Sequence, residues 1–584
     1  MDKLKKRASG QRPKKRKFYG NKYTNVNETK VCDGVSSSSK KLNSGCFNNS
    51  FSATQSLGYR IIAIDILFSE ISSILCCKVC GSDINICETL NHGLSSVFTI
   101  ECAGCKKLNS FRNSRMMGAK SNVPEINRRF IYAMRCIGQG LAGMKNFCGA
   151  MDLPQPVQKS AYNKSLQKIT RCVKDVAELS MLNAAKQEIE MTGQSQLTIS
   201  GDGSWKTRGH SSKIGITSII GIETGKVLDL EVLSSYCKGC EWGKKNKNAK
   251  EFENWKRSHD IECAKNHFGS AGKMEVVGML RIFSRSEERF NAQYINYIGD
   301  GDTKTFLELR KSNIYGPDIE LNKVECVGHV QKRMGSRLRE LKHSMRGKKL
   351  EDGKSLGGKG RLTDKFIDQV TMYYGQAIRN NKDCVMDMRK AIWAIYYHKR
   401  STDDEPLHDF CPQGNVSWCK YQKAKATGKL KDFKHKNVMA APVMDSIKKI
   451  FKDLSEPTLL KRCLGGRTQN PNESLNSVIW KFCPKTSSSS KVIADIAANE
   501  AVVAFNEGRQ GRLQIMQNLG FRVGQYSLEA ARKCDLQRIK EAEKNASELN
   551  LSIRRIRHLH NTSQLETIAQ QEGVVYEIKG VLSP

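Results

Sequence analysis

Apolar, β-branched residues concentrate in three short runs within Gln196–Cys237, and glycine-containing turns separate them. The runs are Leu197–Ser200, Ile214–Ile222 and Val227–Leu233. Short strands joined by such turns are typical of a β-meander. We therefore predict three consecutive antiparallel strands in this stretch.

Before the meander, the apolar positions follow a helical period. In Glu125–Met191 they recur every three or four residues, and Pro154 and Pro156 interrupt the run. This pattern predicts a domain of about four helices. Lysines and arginines are common in the segment. Both a helix-turn-helix DNA-binding domain and a helical spacer without DNA contacts are consistent with this composition.

After the meander, helix and strand patterns alternate. We predict a helix at about Gly272–Arg289, a strand at Ala292–Gly299, and a second strand that ends near Cys326. That strand leads into a basic helix at Val330–Arg346, and a helical pattern returns at Arg361–Tyr397. The alternation indicates an α/β fold with a mixed sheet.

The charge balance indicates a polyanionic partner. The 584 residues, enough for two to four domains, include 96 Lys and Arg against 59 Asp and Glu, a net charge of +37. Such an excess favours nucleic acid. No apolar run reaches the length of a membrane-spanning helix, so a membrane partner is not expected.

The first residues predict delivery to the nucleus. Two basic clusters, Lys5–Arg7 and Lys14–Lys17, lie in a segment that has no apolar signal-peptide core. A basic tail that touches phosphates would have the same composition and does not exclude import. Without a secretory signal, the 21 cysteines are expected to be thiols, and the closely spaced ones to bind metal.

Two CxxC pairs predict a zinc ribbon. Cys77 and Cys80 form the first pair, and Cys102 and Cys105 form the second at zinc-ribbon separation. Four thiolates on two tight turns make a tetrahedral site, and Cys76 is an alternative to Cys77. So small a domain is expected to depend on its zinc for stability.

A second cysteine cluster predicts a zinc clip. Cys237 and Cys240 form a CxxC, and Cys263 follows with His259 before it and His267 after it. The pattern leaves the choice of histidine open, and we take His267 as the fourth ligand. Reduced, partly buried cysteines in a loop are the alternative reading.

Two further groups have metal-ligand spacing. Cys326 and His329 form a CxxH pair without an evident partner, and packing is the alternative reading. His408, Cys411 and Cys419 lie in a loop-rich segment and suggest another zinc site.

Four acidic residues are candidates for catalysis. Asp202 ends the first predicted strand, Asp300 and Asp302 follow the strand that ends at Gly299, and Glu473 lies in the first turn of a helix. Three of them have a plainer explanation: an Asp-Gly turn for Asp202, a helix cap for Asp302, and a favourable helix N-terminus for Glu473.

The order of the predicted elements is that of a ribonuclease H-like fold. Three strands, then alternating helices and strands, precede a late helix that carries an acid. In that fold three acids converge at one edge of the sheet, where two metal ions bind. Asp202, Asp300 (or Asp302) and Glu473 fall in the corresponding order.

Five stretches together resemble the Mutator-like transposase domain of animal genomes: SGDGSW, SSYCKGC, YIGDGD, KVECVGHVQKRMGSRLREL and TQNPNESLNSVIWKFCPK. The similarity runs from about Tyr59 to Gly580. It implies that Asp202 is the first catalytic acid, that the Asp300-Gly-Asp302 motif supplies the second, and that Glu473 is the third.

The resemblance also implies the chemistry. Members of this family cut DNA and join it to new sites, and the three acids would hold two Mg²⁺ or Mn²⁺ ions. The expected partners are double-stranded DNA, as transposon ends and target, and further copies of the chain in a homo-oligomer. The Cys326–His329 pair resembles a Cys/His motif of Mutator-type transposases. Two alternatives are a catalytically inactive, domesticated DNA-binding protein with structural zinc and a nuclease that acts on RNA.

The chain is accordingly divided into five segments. Tyr59–Leu75 mixes helical and strand patterns and is left unassigned within its segment. The segments are a disordered basic tail (1–55), a zinc-ribbon domain (56–120), a helical domain in which DNA binding is one of the two interpretations (121–193), a ribonuclease H-like catalytic domain (194–485) with a zinc-clip insertion (237–270) and a helical insertion (346–465), and a helical, basic C-terminal extension (486–584). From Ala497 to about Arg557 we expect this extension to be solvated or to face DNA.

Overall fold

The structure is a computed structural model, and it describes residues 36–45, 58–118, 123–207, 211–299, 303–435 and 438–547. The N-terminal basic clusters, Asp300 and Asp302 lie outside the described residues. The chain divides into two units. One comprises residues 40–536, and the other comprises residues 1–39 and 537–584, of which only 36–39 and 537–547 are described.

The described residues form eight strands and twenty α-helices. The strands are β1 (Ile84–His92), β2 (Ser95–Cys102), β3 (Leu108–Arg112), β4 (Gln196–Trp205), β5 (Ile214–Gly221), β6 (Val227–Ser234), β7 (Gln293–Gly299) and β8 (Asn322–Glu325). The first ten helices are α1 (Ser37–Asn43), α2 (Ile64–Ile74), α3 (Glu125–Cys136), α4 (Leu141–Ala150), α5 (Lys159–Thr192), α6 (Lys238–Asn246), α7 (Ala249–His259), α8 (Ala271–Ser284), α9 (Ser286–Phe290) and α10 (Thr303–Lys311). The others are α11 (Val327–Ser344), α12 (Asp364–Asn380), α13 (Val385–Arg400), α14 (Lys420–Ala426), α15 (Ala441–Leu454), α16 (Pro457–Lys461), α17 (Asn470–Phe482), α18 (Lys491–Asn506), α19 (Gly508–Asn518) and α20 (Gln525–Ala546).

A five-stranded mixed sheet forms the centre of the larger unit, in the order β6-β5-β4-β7-β8. β4, β5 and β6 are antiparallel neighbours, which confirms the predicted meander. β7 pairs parallel to β4, and β8 pairs parallel to β7. The carboxyl ends of β4, β7 and β8 therefore lie at one edge of the sheet.

The sequence predicted Asp202 at the end of the first strand, but in the structure it lies inside β4. β5 pairs with β4 as far as Trp205, so the strand continues for three residues beyond Asp202. The pairing of β4 with β7 is shorter and ends where Ser200 lies opposite Ile298. Asp202 thus follows the last parallel pair by two residues, at the edge where the parallel part of the sheet stops.

Helices cover both faces of this sheet. On one face, Trp205 Nε1 donates to the carbonyl of Ala271 at the start of α8, at 3.0 Å. Just after α8, the Arg285 guanidinium forms a two-point ion pair with the buried carboxylate of Asp229 on β6. On the opposite face α17 packs on β4, next to α18, which contacts α5.

The structure differs from the expected four helices between residues 125 and 191. Three helices occupy this stretch, because α5 runs unbroken for 34 residues. Pro154 and Pro156 lie in the loop before it, where proline does not interrupt a helix.

The C-terminal region also differs from the solvated or DNA-facing extension predicted. α18 is a core helix, in which Ala497, Ala501 and Val502 are completely buried. The Asn506 amide bonds both the N–H and the carbonyl of Val227 on β6. Small side chains allow α18 to approach α5 and the sheet closely, so this helix completes the main core.

A second hydrophobic core lies among α11, α12, α13, α15 and α16. Val330, Ile367, Ile392, Ile447 and Leu460, one from each of these helices, are fully buried in it. The segment predicted as a helical insertion therefore packs around its own core together with α11. No helix among the described residues is both long and apolar enough to cross a membrane.

Candidate active site and candidate metal centres

A row of side-chain hydrogen bonds fixes α17 along β4. Ser200 Oγ donates to Asn472 Oδ1 at 2.7 Å, and Asn472 Nδ2 donates to the Ser200 carbonyl at 3.1 Å. Two turns further along, Trp480 Nε1 donates to Ser204 Oγ at 2.7 Å. Ser200 and Asn472 are fully buried, so these bonds are shielded from water. The helix is therefore held in one register on the strand.

Asp202 lies between these two anchors and faces the same helix. Its Oδ2 accepts a hydrogen bond of 2.7 Å from Asn476 Nδ2, and its side chain is half-buried. Asn476 was not among the residues that the sequence singled out. Its position three residues after Glu473 on a predicted helix was the available signal, because residues three apart share a face.

Glu473 lies in the first turn of α17, as predicted, and its side chain is exposed. Among the described residues, none forms an ion pair with it. One helical turn separates it from Asn476, which contacts Asp202. The fold thus brings Asp202 and the helix that carries Glu473 together at one edge of the sheet.

The second predicted acid cannot be placed in the same way. Asp300 and Asp302 lie outside the described residues, and β7 ends at Gly299, immediately before them. Gly299 pairs with Glu325 at the end of β8. The choice between Asp300 and Asp302 stays a prediction.

A further carboxylate, Glu275 on α8, approaches β4 from the opposite face. A Cβ atom at Gly203 would lie 2.9 Å from Glu275 Oε2, so a larger residue would displace this side chain. The glycine after Asp202 therefore makes room for packing by α8. Nothing in the sequence pattern distinguishes Glu275 from other helical glutamates.

Cys326 and His329 lie near the same edge of the sheet, at the start of α11. Cys326 is buried, and its Sγ accepts a hydrogen bond from the backbone N–H of Gln469 at 3.4 Å. Burial opposes ionisation of this thiol, but hydrogen bonds from His329 and Gln469 outweigh it and lower its pKa. No third Cys, His or carboxylate joins the pair in a cluster within the part of the chain that is described. Gln469 also donates from Nε2 to the carbonyl of Gly201 at 2.7 Å, which connects this corner to β4.

The four cysteines of the predicted ribbon converge. Cys77 Sγ lies 3.7 Å from Cys105 Sγ, and Cys80 Sγ lies 3.4 Å from Cys102 Sγ. Sulfurs at the corners of a tetrahedron around zinc, with bonds of about 2.3 Å, are about 3.8 Å apart. The donor set and its spacing therefore fit Zn²⁺. The hydroxyl and backbone N–H of Ser82 lower the pKa of Cys80 to about 6, which favours the thiolate that a metal binds.

The second cluster consists of Cys237, Cys240, Cys263 and His259, and it corrects our prediction of His267. His259 Nε2 lies 3.2 Å from Cys237 Sγ, and Cys240 Sγ lies 3.4 Å from Cys263 Sγ. His267 instead is buried outside the cluster. Its Nε2 lies 3.1 Å from the carbonyl oxygen of Ser270, at the start of α8.

Local packing explains why His259 reaches the sulfurs. Its ring stacks on Trp255, one turn earlier in α7, with centroids 4.4 Å apart. Gly239, within the CxxC, leaves room for the imidazole, because a Cβ there would lie 2.7 Å from His259 Cε1. Burial opposes ionisation of Cys237, but hydrogen bonds from the backbone of Cys240 and Ala264 and from His259 lower its pKa to about 6.

A third cluster joins His408, Cys411 and Cys419 to His398 on α13. Each of the two sulfurs lies 3.4–3.7 Å from Nδ1 of each histidine. Three of these residues were suggested by the sequence. His398 was missed because it lies in a helix, ten residues before His408, and belongs to no spacing motif.

A hydrogen-bonded chain orients His408 in this cluster. Its Nε2, on the side of the ring away from the sulfurs, lies 2.8 Å from His435 Nε2. His435 Nδ1 lies 2.6 Å from Asp403 Oδ1. Metal-bound histidines typically bond a carboxylate or carbonyl through their other nitrogen. Asp403 and His435 supply such support, so this donor set also fits zinc.

Comparison with known proteins identifies one family. A model of the family described as Mutator-like transposase matches residues 58–419, which is more than half of the chain. The match ends before Glu473, and so it is shorter than the similarity seen by motif. No curated protein and no solved structure matches the chain.

Proposed function

The chain belongs to the Mutator-like transposase family, and on that premise we propose that it is a transposase that cuts and joins DNA strands at the edge of its central sheet. The observation that carries this proposal is the contact between Asp202 and Asn476. It places the helix of Glu473 on the strand of Asp202. Both carboxylates then belong to one site, although they are 271 residues apart in the sequence.

We propose further that the sheet is the core of a ribonuclease H-like domain. Numbered along the domain, the strand order is 3-2-1-4-5, with antiparallel neighbours among the first three strands and parallel pairing of the fourth and fifth. This order supports the proposal, as does the late helix packed against the first strand.

Asp202 and Glu473, with Asp300 (or Asp302), would hold Mg²⁺ or Mn²⁺. Carboxylate oxygens are the donors that these ions prefer. When bound, such ions activate the attacking water or hydroxyl and stabilise charge on the phosphate. The chain's own residues position this set: Asn476 orients Asp202, and the buried Asn472–Ser200 contact fixes the helix of Glu473.

The other parts of the chain have supporting roles in this proposal. The three Cys/His clusters would hold structural zinc, and the net charge of +37 would bind the DNA backbone with a strong dependence on salt. A transposase brings two DNA ends together, so we propose that it acts as an oligomer. The N-terminal basic clusters, outside the described residues, would direct it to the nucleus.

Strand cleavage tests the proposed function. The purified full chain is incubated with Mg²⁺ or Mn²⁺ and with duplexes that carry the DNA flanking its coding sequence on either side. We expect wild type to cut a strand, and Asp202→Asn and Glu473→Gln each to cut at least about a hundredfold more slowly. Asp202→Asn should keep the wild-type melting temperature, because an asparagine can still accept from Asn476.

The matched control is Glu456→Gln, which removes an exposed carboxylate from the start of α16. It should cut at the wild-type rate. Cutting by Asp202→Asn or Glu473→Gln at that rate would refute the assigned site. Binding of the duplexes by wild type without cutting in either metal would instead indicate a DNA-binding protein without catalytic activity.

A further inference from the structure

A cleft of about 570 Å³ lies among the chain before α2, the chain after β3, the start of α3 and the start of α20, and neither Asp202 nor Glu473 lines it. Four arginines and two tyrosines dominate its lining: Arg60, Arg115, Arg129, Arg522, Tyr59 and Tyr526. The proposed chemistry at Asp202 uses none of them.

The cleft is strongly positive. Among the described residues that line it, Glu125 is the only acidic one, and it is buried and forms an ion pair with Arg129. Four arginines against one glutamate leave an excess of three positive charges. Arg115 and Arg522 are exposed and form no ion pair within the described residues. Their guanidinium groups are therefore available to an anionic ligand.

The tyrosines present ring surface beside these charges. Tyr526 is 60% exposed although it lies in a cleft, and Tyr59 is 42% exposed. The Arg60 guanidinium lies 5.0 Å from the ring centre of Tyr526 and donates to its hydroxyl at 2.9 Å. Arg129 lies 5.8 Å from the ring centre of Tyr59. Cation–π contacts thus hold both rings in place without burying them.

We propose that this cleft binds an unpaired segment of a DNA strand. Guanidinium groups pair with phosphates, and exposed aromatic rings stack on bases that have left the helix. A duplex offers a protein surface its phosphates and groove edges, whereas its base faces stay stacked and cannot reach a ring. The combination of charge and exposed rings in a concave site therefore fits a single strand. This inference rests on the proposed function, which makes DNA the substrate.

The cleft is a second contact point, separate from the acids. α3 carries Arg129 in the cleft and, two turns later, Arg135, whose Nη2 donates to the carbonyl of Phe482 at 2.9 Å. Phe482 ends α17, nine residues after Glu473, which corresponds to about 14 Å along the helix. An unpaired strand in the cleft would therefore contact residues other than those of the cutting site, on a helix that is bonded to the far end of α17.

Binding of a labelled oligo-dT strand to the full chain tests the proposal, with a dA·dT duplex for comparison. We expect Tyr526→Ala to weaken strand binding about tenfold, and Tyr526→Phe, which keeps the ring, to bind like wild type. Arg522→Gln should lower the slope of log affinity against log salt by about 0.7, the value for one phosphate contact of a single strand.

The matched control is Arg532→Gln, which removes an exposed charge from α20 outside the cleft. Its salt slope should equal that of wild type, and all variants should keep the wild-type melting temperature. The proposal would be overturned if Tyr526→Ala and Arg522→Gln both bound the single strand as tightly as wild type does. It would also be overturned if Tyr526→Ala lost affinity for the duplex and for the single strand equally. Glu473→Gln separates the two proposals, because it should bind the strand normally while failing to cut.

Discussion

Asn476 Nδ2 donates a hydrogen bond of 2.7 Å to Oδ2 of Asp202, across 274 residues of sequence. The contact does two things. It orients a carboxylate at the edge of the parallel part of the sheet, and it fixes on the sheet the helix that carries Glu473, one helical turn before Asn476. The proposed active site depends on this alignment of one helix with one strand.

Replacement of Asn476 should therefore impair cutting without unfolding the protein. In Asn476→Ala we expect a DNA cleavage rate about tenfold lower, because Asp202 loses its orientation. The free energy of unfolding should fall by about 1 kcal/mol, as for one hydrogen bond at a half-buried site. Cleavage assays and thermal melts measure the two effects. The control is Ser477→Ala, which changes an exposed neighbour in α17 and should cut at the wild-type rate. A wild-type cleavage rate in Asn476→Ala would contradict the positioning role.

The second acid can be identified by a pair of substitutions. Asp300 follows β7 directly, so Asp300→Asn should abolish metal-dependent cutting but leave DNA binding intact. Asp302 precedes α10, and Asp302→Asn should stay active because asparagine caps a helix as well as aspartate does. Cleavage and binding assays on both variants decide the assignment. The opposite pattern would exchange the two roles.

Zinc content should distinguish His259 from His267. With one ion in each cluster, the wild-type chain should contain three zinc ions. His259→Ala should lose one of them, because it removes a ligand of the second cluster. His267→Ala should keep all three, although it disturbs a buried contact with Ser270. Elemental analysis of the purified proteins provides the measurement, and a loss of zinc only in His267→Ala would restore our sequence-based assignment.

The series of side-chain hydrogen bonds from Asp403 through His435 to His408 should strengthen zinc binding in the third cluster. In Asp403→Asn we expect zinc affinity at this site to fall by about 10- to 100-fold, as for other groups that orient a metal-bound histidine. Competition with a chelator measures the change. The adjacent Asp404→Asn removes an exposed carboxylate and should leave the affinity unaltered. Equal zinc affinities in the two variants would show that the hydrogen bonds of Asp403 and His435 contribute to packing and not to zinc binding.

Delivery to the nucleus should depend on the N-terminal basic clusters. Deletion of residues 1–17 should leave a fluorescently tagged protein substantially in the cytoplasm, since both clusters are lost. Microscopy of the tagged full chain and the truncation compares them. Unchanged nuclear accumulation of the truncation would place the signal elsewhere.

Much of the local structure was predictable because it depends on residues close together in the sequence. The meander follows from β-branched runs and glycine turns, and the ribbon follows from two CxxC pairs whose spacing alone places the sulfurs on tight turns. The helix of Glu473 follows from Asn470 and Pro471 at its start. The family, too, was recognisable from short motifs.

Only the tertiary structure decided which distant residues meet. His259 and His267 lie four residues before and four residues after Cys263, so spacing could not choose between them. The choice came from the stacking of His259 on Trp255 and from the contact of His267 with Ser270. The burial of α18, expected to be solvated, and the bond from Asn476 to Asp202 likewise arise from packing between segments hundreds of residues apart. Local patterns specify turns and periods, but the partner of a side chain depends on which surfaces the hydrophobic core brings together.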